Sequence, residues 1–143
     1  MFRKLAVAYN QSPESERALS TAIQLARTLG AELHTITVMA DLPAYTAFAV
    51  VGGETTRVLV DDQQKFYEAL KERARSLASR QGVEPHNHLI GGKEVQSIVD
   101  FLRQQKADLL VIGLHQRDFY IARLWSTVYE LAQEAPCSVL GVH

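Results

Sequence analysis

The sequence predicts an α/β fold: an open, doubly wound parallel sheet of five strands covered on both faces by four helices. Three observations predict it. Short apolar runs alternate strictly with longer stretches whose apolar residues recur at helical spacing, and such alternation with right-handed crossovers requires parallel strands and helices on both sides. The short runs carry apolar residues in succession, as strands buried on both faces do. The length of 143 residues suits one core, because a chain of this size hides roughly two-thirds of its unfolded surface, so one domain is expected across 1–143.

Leu5-Ala6-Val7-Ala8-Tyr9 reads as the first strand, closed by the turn Asn10-Gln11-Ser12-Pro13. Ser12 is a good N-cap, Pro13 suits the first helical position, and Glu14 and Glu16 complement the helix dipole. Leu19, Ala22, Ile23, Ala26 and Leu29 then repeat at helical spacing until Gly30, which is placed to end the helix in a left-handed conformation. Leu33 to Met39 alternates as a second strand. From Ala40 to Thr56 the pattern lapses, yet Tyr45, Phe48, Val50 and Val51 make this segment too apolar for a purely solvated loop. Phe66, Leu70, Ala74 and Leu77 mark a long helix from about Thr56 to Arg80, ended by Gly82.

His86 to Ile90 gives a third strand, and Gly91-Gly92 breaks the chain before a third helix lined by Val95, Ile98, Val99 and Leu102. Ala107 to Gly113 is the clearest strand. After a segment from Leu114 to Arg123, Leu124, Val128, Leu131 and Ala132 line a fourth helix, Pro136 follows it, and Ser138 to Val142 closes the chain as the fifth strand. In sheets of this kind ligands lie beyond the carboxyl ends of strands where the strand order reverses. If strands one and four are neighbours, the loops beginning at Asn10 and Gly113 hold the site.

Hydrophobic residues make up 47% of the chain and charged residues 22%, which excludes disordered, collagen-like and disulfide-scaffold classes. Fifteen Lys and Arg stand against 16 Asp and Glu, so no broad electrostatic footprint for nucleic acid or an anionic membrane is present. The single cysteine, Cys137, and the absence of a leader-like segment at Met1-Phe2-Arg3-Lys4 predict a cytoplasmic protein. The longest apolar run, Asp108 to Leu114, falls far short of the ~20 residues a bilayer span needs, so no membrane insertion is expected.

Both loops also carry a family resemblance. Ala6-Val7-Ala8-Tyr9-Asn10-Gln11-Ser12-Pro13-Glu14-Ser15-Glu16-Arg17-Ala18-Leu19, Ala107-Asp108-Leu109-Leu110-Val111-Ile112-Gly113 and Ala135-Pro136-Cys137-Ser138-Val139-Leu140 resemble segments of the universal stress proteins. The resemblance implies an adenine nucleotide alpha hydrolase-like sheet ordered 3-2-1-4-5, a ligand crevice between strands one and four, and a homodimer that meets along the last strand. Many members bind ATP through Gly-x2-Gly-x9-Gly-Ser/Thr after strand four, where glycines let backbone N–H groups approach phosphate and the hydroxyl adds a donor. Here those positions are Gly113, Gln116, Ser126 and Thr127, so two of the three glycines are replaced. Asn10 stands where the family commonly has an acidic residue, and Val38 matches its valine at the end of strand two. Gly113-Leu114-His115-Gln116, Asp118-Phe119-Tyr120 and Leu124-Trp125-Ser126-Thr127 are similar to the A-type branch, which is regarded as not binding ATP, whereas Arg117 resembles the ATP-binding branch.

Other chemistries are weaker. Gly91-Gly92-Lys93 fails as a P-loop, which needs Gly at Asn87 and Ser or Thr at Glu94. His86 and His88 share one side of a strand, but no further His or Cys lies at ligand spacing and Glu84 is the only nearby carboxylate in sequence, so a surface strand and no metal are expected. His115 is placed best for acid–base work, yet Ser12 is explained as a cap and neither Ser12 nor Ser126 sits in a nucleophile elbow. Cys137 reads as a small hydrophobe. Trp125 and Tyr129, with Phe119 and Tyr120, concentrate aromatic area suited to packing or a dimer contact. Lys71, Arg73, Arg75 and Arg80 read as a solvated face, diluted by Glu68 and Glu72.

The sequence thus predicts a homodimeric stress-response binding or regulatory module rather than an enzyme, with no catalytic residues and no required cofactor. The alternative is an ATP or AMP sensor in which Asn10, Val38, Gly113, His115, Gln116, Arg117, Ser126 and Thr127 form a modified site. An adenylating enzyme or electron-transfer flavoprotein subunit shares the same topology, with fold analogy as its only support.

Overall fold

The computed structural model describes the backbone of residues 1–39, 54–114 and 127–143, and their side chains except at 54–62. Along these, β1 (Lys4–Ala8), α1 (Pro13–Leu29), β2 (Glu32–Met39), α2 (Glu54–Ser79), β3 (His86–Gly91), α3 (Glu94–Gln105), β4 (Leu109–Gly113), α4 (Thr127–Glu134) and β5 (Ser138–Val142) follow one another. The strands form one sheet in the order β3-β2-β1-β4-β5, and every pairing is parallel. The expected order and alternation are both present. The segment 40–56 and the chain from His115 to Ser126 lie wholly or largely outside the described residues.

Local chemistry sets the boundaries. Ser12 is extended and its hydroxyl accepts the Ser15 N–H, Pro13 opens α1, and Gly30 closes it at φ 64° with its N–H on the Ala26 carbonyl. β4 starts at Leu109 rather than Ala107, because the preceding Asp108 turns its carboxylate back on the chain. That carboxylate accepts the backbone N–H groups of Arg3 and Lys4 at 2.8 and 3.1 Å, while its own N–H donates to the Lys4 carbonyl. Asp108 thereby locks the entry of β1 beside β4.

Two hydrophobic layers sandwich the sheet. Leu5, Val7, Leu33, Leu109 and Val111 on one face pack against Leu19, Ala22 and Ile23 of α1 and Leu70, Ala74 and Ala78 of α2. Ala6, Ile36, Leu110 and Ile112 on the other pack against Ile98, Val99, Phe101 and Leu102 of α3 and Leu131 of α4. This even–odd division follows from the two-residue period of a strand. The chain leaves β1 toward β2 and β3, then returns to β4 on the other side, so the strand order reverses between β1 and β4.

Candidate functional site

A crevice of about 320 Å³ opens at that reversal, beyond the carboxyl ends of β1 and β4. β1 runs on into Tyr9 and Asn10, the start of α1 supplies Ser12 and Glu14, and the end of β2 supplies Val38. β4 contributes Ile112 and Gly113, α3 contributes Glu94 and Ile98, and α4 contributes Thr127 and Val128. Ala8, Ile36, Val38, Ile98, Ile112 and Val128 make an apolar lining, with Asn10, Ser12 and Thr127 as neutral polar groups among them.

The turn after β1 is internally bonded. Asn10 Oδ1 accepts the Ser12 N–H at 3.1 Å, and the Asn10 N–H donates to Ser15 Oγ at 3.3 Å. Gln11 between them sits at φ 71°, a left-handed conformation uncommon for a residue with a side chain. Ser12 Oγ accepts the Ser15 N–H at 3.3 Å, so its role is the expected cap.

The structure brings together Asn10, Val38, Gly113 and Thr127 of the residues expected at the site. His115, Gln116, Arg117 and Ser126 lie outside the described residues. Sequence reasoning missed Glu14 and Glu94 as crevice groups. Each is an acidic residue in the first turn of a helix, and both helices begin at the crevice, so helix-start chemistry was the available signal. No lysine or arginine is among the described lining residues.

Gly113 has a packing reason to be glycine. A Cβ there would overlap the Glu14 carbonyl and stand 2.9 Å from Glu14 Cβ, so the first turn of α1 rests directly on the end of β4. Gly91 ends β3, and Gly92 makes the expected break before α3 at φ 126°.

Tyr9 also lines the crevice but is otherwise buried, and its hydroxyl donates to Glu16 Oε1 at 2.7 Å. Arg73 Nε donates to the same oxygen at 2.6 Å. Arg73 therefore ties α2 to α1 while staying on the expected solvated face, its side chain half-exposed, and Arg75 pairs with Glu72 within its helix. Cys137 is half-buried, and burial, then the Asp108 charge, raise its thiol pKa, in keeping with an unreactive side chain.

His86 and His88 do share a face of β3, but they are not alone. His34 of β2 lies opposite His86 in register, its Nδ1 is 2.9 Å from His88 Nε2, and Glu32 rather than Glu84 is the carboxylate beside His34 and His86. Sequence spacing could not reveal this, because strand pairing joins residues about fifty positions apart.

A parallel 3-2-1-4-5 sheet with a crevice at its reversal point defines a doubly wound α/β protein. The profile of the Universal stress protein family matches residues 1–143, and the chain belongs to that family. Universal stress protein MJ0531 of Methanocaldococcus jannaschii is 28% identical over 144 residues, which cover 99% of this chain and 82% of the relative. Among solved structures, a universal stress protein in complex with cAMP superposes with a TM-score of 0.76 at 24% identity, covering 99% of this chain and 97% of that one. The universal stress protein from Archaeoglobus fulgidus in complex with dAMP gives 0.71 at 24% identity, again covering 99% of this chain and 98% of the other.

Proposed function

We propose that this universal stress protein is a homodimeric binding or regulatory module whose crevice takes an adenine nucleoside monophosphate and does not hold ATP tightly. The charge of the crevice carries this reading. Glu14 and Glu94 both place carboxylates in its lining. A carboxylate ~7 Å from a phosphate costs on the order of 1 kcal/mol at an effective dielectric near 40, and a triphosphate multiplies that cost. The volume of about 320 Å³ sits at the lower end of the roughly 300–1,000 Å³ usual for small-molecule sites, and the apolar lining suits a base and sugar. Solved proteins of the same fold hold cAMP and dAMP, and the replacement of two phosphate-loop glycines by Gln116 and Ser126 weighs in the same direction.

Calorimetric titration with AMP, cAMP and Mg·ATP tests the proposal. The expected outcome is saturable monophosphate binding, with ATP at least ~10-fold weaker, or about 1.4 kcal/mol. Glu14→Gln with Glu94→Gln should narrow that gap. ATP binding tighter than AMP, or no nucleotide binding at millimolar concentration, would overturn it.

A further inference from the structure

We propose that Glu32, His34 and His86 form a binding site for a divalent transition-metal ion of the zinc class at the amino-terminal ends of β2 and β3. Glu32 and His34 are two positions apart on β2 and so project to one face, and His86 enters from β3 directly opposite His34. Glu32 Oε1 lies 3.8 Å from His34 Nε2 and 3.6 Å from His86 Nε2. One ligand atom from each residue lies within 4.8 Å of the other two. Metal–ligand bonds of ~2.0–2.2 Å hold neighbouring ligand atoms about 3.3–3.6 Å apart, so the Glu32 pairs already stand near that spacing and a side-chain shift of roughly an ångström would bring the two imidazoles to it.

His34 supplies an independent observation. Its side chain is only 7% exposed, and its Nε2 is buried with no hydrogen-bond partner among the described residues. An unpaired buried polar atom is costly, and a metal ion at Nε2 would satisfy it. The other ring nitrogen is held 2.9 Å from His88 Nε2. With the Nδ1 proton donated to His88, Nε2 carries a bare lone pair beside Glu32 while the His86 ring stacks on His34, and an outer partner of this kind orients a ligating imidazole. Lys4 Nζ pairs with the other carboxylate oxygen of Glu32, Oε2, at 3.7 Å and donates to the Gln105 carbonyl, which leaves Oε1 facing the two histidines.

An ion pair between Glu32 and a protonated His34 explains the cluster less well. The separations of 3.6 and 3.8 Å exceed hydrogen-bond length, so neither imidazole is hydrogen-bonded to the carboxylate. Two imidazoles and a carboxylate suit zinc-like ions, whereas calcium and magnesium require oxygen ligands. Glu32 and His86 are half-exposed, at 50% and 53%, so water can take a further coordination position. The site stands apart from the crevice: six residues of strand, or ~20 Å, separate Glu32 from Val38. It therefore does not depend on the nucleotide reading.

The test is calorimetric titration of tag-free, chelator-stripped protein with ZnCl2 at neutral pH, with thermal unfolding in chelator as a folding control. One zinc per chain at a Kd of about 10 µM or tighter is expected. His86→Ala and Glu32→Gln alter half-exposed side chains, so each should keep the wild-type melting temperature in chelator and weaken zinc binding at least ~10-fold. Substituted cobalt should show intense visible absorption in the wild type and lose it in His86→Ala. No saturable zinc binding below ~100 µM, or unchanged affinity in either variant that melts like the wild type, would overturn the site.

Discussion

A single residue shows how one sequence feature can serve two readings. Gly113 occupies the first glycine position of the family's phosphate pattern, yet its close approach to Glu14 accounts for it without any ligand. Gly113→Ala should therefore destabilise the fold by on the order of 3 kcal/mol, the overpacking penalty of a methyl group driven into backbone. Gly91→Ala is the matched control: a Cβ there meets nothing within 4 Å, and a change of no more than ~0.5 kcal/mol is expected. Urea denaturation of both variants decides, and equal midpoints would mean that β4 and α1 separate at little cost. Strand and helix positions on either side of Gly113 were legible from apolar spacing, but the contact with Glu14 was not, because it depends on how far α1 leans over the sheet.

Between elements, the Tyr9–Glu16–Arg73 cluster joins the end of β1 to α1 and α2. Burial first, and then the Glu16 carboxylate, raise the Tyr9 hydroxyl pKa above the ordinary value. The unfolded chain releases that proton near pH 10, while the folded chain retains it. Above that pH the unfolded state binds fewer protons, so this contribution to stability falls as pH rises. Tyr9→Phe should cost about 1 kcal/mol at pH 8, and the gap from wild type should narrow as pH climbs past ~10. Urea midpoints at pH 8 and 10.5 measure this, and a gap that stays constant would mean that Tyr9 titrates as an ordinary phenol. Tyr9 was readable as the end of an apolar strand and Arg73 as part of a basic helix face. Their meeting at one carboxylate needed the crossing of α1 and α2.

For the whole molecule, the sheet order leaves β3 and β5 as opposite edges. β5 exposes Leu140, at 37%, and an unpaired edge with apolar side chains is a ready surface for a second strand. Light scattering at about 50 µM should therefore give twice the monomer mass, and Leu140→Lys should return it to the monomer; a monomeric wild type would remove the dimer. The histidine cluster belongs to β2 and the far edge strand β3, so pairing along β5 leaves both copies of it accessible. The sequence by itself determined the strands, the helices, the caps at Ser12 and Gly30 and the family, because backbone periodicity and capping are local properties that neighbouring residues encode. Only the tertiary structure decided which charges face the crevice, why Gly113 must lack a side chain, and that Glu32 and His34 meet His86. Those facts depend on parallel strand register and helix lean, through which residues from about fifty to about a hundred positions apart become neighbours.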